Sequence, residues 1–226
     1  MLKSLHRGEE VRIGAVPEDL YGSLVIPPQA GGIVLFAHGS GSSRFSPRNQ
    51  FVAGRLHAVG LATLMMDLLT RKEEDYDSFT AELRFNIPLL TGRVLLALDW
   101  VLRDARTQGL RVGCFGSSTG AASALEGAAE RPEEIRAVVS RGGRPDMAIP
   151  VLHRVIAPTL LIVGGADHAV LEMNRHAFEK LTCPRELSIV PGATHLFEEP
   201  GALEKVADLA AEWFQKHLLA ADAMGN

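Results

Sequence analysis

The sequence predicts an α/β protein: an open, mainly parallel sheet wrapped on both faces by helices. Three observations carry this. Short apolar runs alternate along the chain with segments whose apolar residues recur at helical spacing. Residues 33–37 are apolar without a break, the pattern of a strand covered on both faces. Loops rich in glycine, serine and ionisable residues follow the strands directly, where open sheets of this kind place their functional loops.

In chain order, residues 11–16 and 20–26 alternate and read as an antiparallel pair at one sheet edge, with a turn around Pro17, Glu18 and Asp19. Pro27, Pro28 and the Gly31-Gly32 pair end this pattern before strand 33–37, which runs into a small-residue loop from His38 to Arg44. Phe51, Val52, Leu56 and Val59 then recur at helical spacing, and Gly60 closes that helix. Strand 61–66 follows. Residues 71–77 are a run of charges of both signs and read as a solvated loop at the rim. Val94, Leu95, Leu98, Val101, Leu102 and Ala105 mark a one-sided helix leading to strand 111–115 and an alanine-rich helix at 121–129. Strands at 135–139, 159–163 and 186–190 and a helix at 172–181 complete the alternation. A last helix carries Leu203, Val206, Ala210, Trp213, Phe214 and Leu218 on one face.

A chain of 226 residues, 46% hydrophobic, can bury one sizeable core, so one domain spanning 1–226 is expected. Its formal net charge of -4 and scattered basic residues provide no footprint for nucleic acid or an anionic membrane surface, which leaves small-molecule chemistry. Cys114 and Cys183 form no disulfide framework and are expected to be reduced. The first ten residues hold no apolar targeting core, and no stretch approaches membrane-spanning length, so the expected location is the cytoplasm. The histidines show no His-Glu-x-x-His spacing, and neither a metal nor a cofactor is expected.

The chemistry centres on Gly116, Ser118 and Gly120, a G-x-S-x-G string between a strand and a helix. By itself the string is a weak signal, since a Gly/Ser-rich turn can be no more than a connector. At a strand-to-helix junction, however, it describes a sharp turn that lifts the serine hydroxyl clear of the sheet. The helix beneath then aims free N–H groups and a positive dipole end at the same spot.

A serine hydroxyl needs a base to take its proton, and the base needs a carboxylate to fix its tautomer and steady its charged form. The expected chain order is Ser, acid, His. Asp167 and His195 satisfy it, each on a loop after a late strand. The alternatives are Asp146 for the acid and His168 for the base, and Asp167 could instead cap the helix that follows it. Backbone N–H groups of Thr119 and Ser40 are placed to hold the oxyanion of an acyl-transfer intermediate.

These residues resemble the α/β-hydrolases, and most closely their dienelactone hydrolase-like branch. The likeness is carried by HGSGSS at 38–43, FGSSTG at 115–120, VGGADHAVL at 163–171 and GATHLF at 192–197. The run SRGGRPD at 140–146 is similar to a bacterial subset that occurs alone or joined to a phosphoribosyltransferase domain. The resemblance spans nearly the whole chain. It implies an eight-stranded sheet without a large lid domain and hydrolysis of esters or lactones. It also implies roles of nucleophile, acid and base for Ser118, Asp167 and His195. Dienelactone hydrolases proper use a cysteine nucleophile; here that position is Ser118, with Cys114 inside the strand, so the expected substrate is a small, short-acyl ester or lactone other than dienelactone.

Arg44, Arg141 and Arg144 follow strand ends near the same loops. Guanidinium groups there would grip a carboxylate or phosphate, giving an anionic ester as substrate, whereas pairing with neighbouring acids such as Asp146 is the simpler reading. Two other functions share these residues. One is an accessory or binding module acting beside a phosphoribosyltransferase; the other is acyl transfer or perhydrolysis by the same triad.

Overall fold

The computed structural model of the chain describes residues 8–15 and 19–219. Strands β1 (Glu9–Ala15) and β2 (Asp19–Val25) pair antiparallel, and β2 pairs antiparallel with β4 (Leu61–Met66). From β4 the sheet continues in parallel through β3 (Gly32–Ala37), β5 (Arg111–Ser117), β6 (Ile135–Arg141), β7 (Thr159–Gly164) and β8 (Arg185–Val190). The order is β1-β2-β4-β3-β5-β6-β7-β8. This is the eight-stranded, mainly parallel arrangement implied by the resemblance. The expected edge pair is present; of its turn, Pro17 and Glu18 lie outside the described residues, and Asp19 opens β2.

Side chains alternate across the sheet and build two cores. Ile33 and Leu35 of β3 face a core with Val94 and Leu98 of α3 (Ile87–Arg103), Leu125 of α4 (Thr119–Glu130) and Ala177 of α5 (His168–Lys180). Val34 and Phe36 point the other way, into a core with Leu56 of α1 (Pro47–Ala58) and Val206 and Phe214 of α6 (Ala202–Phe214). Phe36 stacks on Phe115 with ring centroids 4.8 Å apart. Because β3 and β5 are central and covered on both faces, their carboxyl ends are fixed points for the loops that follow.

Three elements differ from the sequence reading. The charge run at 71–77 is not a loop but α2 (Arg71–Thr80). Its apolar content predicts no helix, yet Thr70 and Glu73 form a reciprocal capping box: the Thr70 hydroxyl accepts from Glu73 N at 3.3 Å, and the Glu73 carboxylate accepts from Thr70 N at 2.7 Å. Two of its charges have specific partners, Glu73 in Arg93 and Asp77 in Arg84. Helix α5 begins at His168, four residues before the expected start at 172. Residues 145–154 form a run of 3-10 turns interrupted by Pro150. Among the described residues no helix is long and apolar enough to cross a membrane.

The cap accounts for a helix that packing alone does not explain, since Asp77 is the one residue of α2 that is buried. Thr70→Ala should therefore lower the unfolding free energy by about 1 kcal/mol. Urea denaturation with an unchanged slope and a lower midpoint is the expected reading.

Candidate active site

Ser118 joins the central strand β5 to α4 with φ 49 and ψ -123, a backbone conformation that a residue with a Cβ adopts only under strain. Two glycines make the turn sterically possible. A Cβ on Gly116 would sit 2.4 Å from Ala121 Cα, and one on Gly120 would sit 2.3 Å from the Ala37 carbonyl oxygen. The turn is bonded on both sides: Ser118 O accepts from Ala121 N at 3.1 Å and from Arg144 N at 3.0 Å. Below it, Ser117 Oγ donates to Asn49 Oδ1 of α1 at 3.1 Å in the buried interior. Ser118 stands at the N-cap position but its side chain makes no cap hydrogen bond.

Asp167 and His195 come from the loops after β7 and β8, and these loops are stitched together by backbone hydrogen bonds. Gly165 N donates to Val190 O at 2.8 Å, and Ala166 N donates to Ala193 O at 2.9 Å. The result is a His195 Nδ1 to Asp167 Oδ2 distance of 2.8 Å. Asp167 does occupy the N-cap position of α5, yet it makes no side-chain cap, because its carboxylate is turned to His195. With Nδ1–H donating to that carboxylate, Nε2 carries the free lone pair.

The 141–144 loop connects the serine turn to this pair. Gly142, at φ 49, lies so close to His195 that a Cβ there would sit 3.6 Å from His195 Cε1, while Arg144 N bonds Ser118 O. Asp146 is engaged instead by Arg144, at 2.9 and 2.8 Å, and His168 is exposed at the first position of α5. The arrangement pairs Asp167 with His195 and links that pair to the Ser118 turn through the 141–144 loop, whereas Asp146 is taken by Arg144.

Ser40 and Thr119 line one cavity of about 500 Å³, with Arg48, Leu68, Leu69 and Leu90 among its walls. Gly39 packs against the nucleophile turn; a Cβ there would lie 2.9 Å from Ser118 Cβ. His38 fixes the loop in this position, a role that its place in the HGSGSS string does not reveal. Its buried imidazole donates from Nδ1 to Gly39 O at 3.0 Å and accepts at Nε2 from Leu68 N at 3.1 Å. This use of both nitrogens requires the neutral ring. Burial lowers its pKa, against the smaller raising effects of the Gly39 carbonyl and Asp67.

Cys114 lies fully buried in β5, where burial pushes its thiol up to about 12. It remains protonated near neutral pH and is therefore a poor nucleophile. Among the described residues no group of three or more His, Cys, Asp and Glu is arranged to hold a metal ion.

The three arginines do not share one mouth. Arg44 is buried against Asp67 at 2.7 Å and also holds Glu10, and Arg144 forms a two-pronged pair with Asp146. Arg141 differs: it is 7% exposed, and its Nε and Nη1 have no hydrogen-bond partner among the described residues. Burial, together with neighbouring Arg48, lowers its pKa to about 10, so it stays charged near neutral pH.

A family model described as the dienelactone hydrolase family matches residues 20–219. A crystal structure of a dienelactone hydrolase from Anabaena variabilis is 56% identical, covers 94% of this chain and 100% of its own, and superposes with a TM-score of 0.91. Est1E from Butyrivibrio proteoclasticus, solved with ferulic acid bound, shares the fold at 17% identity, with 92% of this chain and 98% of its own covered and a TM-score of 0.77. A Mycobacterium tuberculosis protein provisionally named a phosphoribosyl transferase is 51% identical over 94% of this chain. The match takes in 47% of that protein, so the chain spans about half the length of this relative.

The neutral, buried His38 gives stability an acid limit. In the unfolded chain the imidazole titrates near its ordinary value of 6.5, and in the fold it titrates lower. Between the two values the unfolded chain binds more protons, so this contribution is complete above about 6.5 and is lost as pH falls through the folded value. Urea midpoints measured from about pH 7.5 to 5 should fall for the wild type and fall less for His38→Gln.

Proposed function

The chain belongs to the dienelactone hydrolase family, and from that premise we propose that it is a serine hydrolase cleaving small carboxylic esters or lactones through an acyl-enzyme. The observation that supports this reading is the His195–Asp167 pair at 2.8 Å, which the 141–144 loop links to a serine held in a strained, glycine-flanked turn. In the proposed reaction Ser118 Oγ attacks the acyl carbon as its proton passes to His195 Nε2. The imidazolium is steadied by Asp167, and the oxyanion is received by the N–H groups of Thr119 and Ser40. The leaving alkoxide takes the proton from His195. Water then repeats the sequence on the acyl-enzyme, releasing the acid and restoring Ser118.

A cavity of about 500 Å³ suits a short acyl group. A serine nucleophile and an inert Cys114 argue for esters or lactones other than dienelactone itself. Buried free thiols fit a cytoplasmic setting, and the domain is taken to fold on its own. For the mycobacterial relative we propose that the matched half supplies the hydrolase and that the other half accounts for the transferase in its name.

The test is hydrolysis of p-nitrophenyl acetate and butyrate, with fluorophosphonate labelling followed by peptide mapping. The wild type should turn over the ester and label at Ser118. Ser118→Ala should lose at least ~1,000-fold in kcat and all labelling, and Asp167→Asn should lose about as much in kcat while remaining folded. A folded wild type that neither turns over nor labels would overturn the hydrolase and favour the accessory module.

A further inference from the structure

Three arginines are buried to a similar degree, and two of them are neutralised. Arg44 holds Asp67 and Glu10, and Arg93 holds Glu73. Among the described residues Arg141 holds no carboxylate, although its Nε and Nη1 are both sealed from solvent. An unpaired charge in such a place is destabilising, and a fold retains it where a ligand supplies the missing partner.

The surroundings of Arg141 are cationic. Arg48, in the first turn of α1, stands on the other side of Ser117, next to the Asn49 that Ser117 bonds, and its own Nε is likewise buried without a partner among the described residues. Arg48 reaches one acid, the exposed Glu198, through Nη1 at 3.3 Å, and this leaves the Nε edge of its guanidinium unused. Both residues belong to the catalytic edge. Arg141 is in register with Ser117 across β5 and β6, and its carbonyl accepts from Ser118 N at 3.4 Å. Arg48 lines the cavity that also contains Ser40 and Thr119. The neighbouring Asn49 is bonded to Ser117.

We propose that Arg141 and Arg48 form an anion subsite beside the nucleophile that takes the phosphate monoester group of the substrate. A carboxylate has two oxygens and is satisfied by one guanidinium fork. Two forks carrying two like charges to neutralise match a dianion with three terminal oxygens. The substrate class is therefore an ester of a phosphorylated alcohol or acid, bound with its phosphate on the α1 side of the sheet while the acyl carbon meets Ser118. This deepens the serine-hydrolase reading and rests on it for the ester, but not for the phosphate.

Isothermal titration of the wild-type chain with inorganic phosphate and with acetate tests the subsite without any turnover. Phosphate should bind, and acetate should bind roughly tenfold more weakly or worse. Arg141→Gln and Arg48→Gln should each weaken phosphate by roughly tenfold or more. Arg55→Gln, which removes a surface charge from the same helix, should not. Arg48 is one third exposed, so its substitution keeps the test valid if Arg141→Gln fails to fold. In turnover, 1-acetylglycerol 3-phosphate should be preferred over 1-acetylglycerol by the wild type, and Arg48→Gln should erase the preference.

Absence of phosphate binding, binding that survives both substitutions, or equal affinity for acetate would overturn the subsite. Fluorophosphonate labelling of Ser118 separates the two ideas. Labelling without phosphate binding removes the subsite alone, whereas phosphate binding lost in Arg48→Gln without labelling supports the subsite and removes the hydrolase.

Discussion

Everything at the catalytic edge depends on the backbone of one residue, Ser118, being held at φ 49. That conformation is unfavourable by about 1–3 kcal/mol and persists because the surroundings over-determine it. Gly116 lets α4 close down on the turn, and Gly120 lets the helix touch the end of β3. The 141–144 loop bonds the serine carbonyl from one side, and Ser117 anchors to Asn49 from beneath. Relaxing any of these would let the serine sink toward the sheet.

Around this point two histidines hold different loops. The loops after β7 and β8 align His195 with Asp167, using backbone hydrogen bonds between themselves. The loop after β3 is held by a neutral histidine, His38, which clamps it to Leu68. The clamp needs a ring that stays neutral, and burial keeps it so. His38 is buried, and the His195 side chain is 42% exposed.

The strands, the two-faced burial and the Ser118 turn were legible in the sequence because they are written in local patterns: unbroken apolar runs, alternation, and glycines two positions either side of a serine. The Asp167–His195 pair was legible from the positions of both residues after strands. What was not legible depends on distant partners. Helix α2 carries no apolar stripe, and its charges meet Arg93 and Arg84. Arg44, Arg141 and Arg144 look alike in the chain, but Glu10 and Asp67 come from β1 and the end of β4 to take the first, and Asp146 takes the last. The second use of Asp167's position, a helix N-cap that does not cap, is visible only once His195 is beside it.

The stitching of the last two strands has a consequence for biogenesis. Strand β8 pairs with β7 alone among the described strands, and His195 lies beyond it, so His195 meets Asp167 only after the sheet has closed at that edge. A chain emerging from the ribosome presents its serine turn well before His195. On the proposed mechanism the nascent chain is chemically silent until β8 docks.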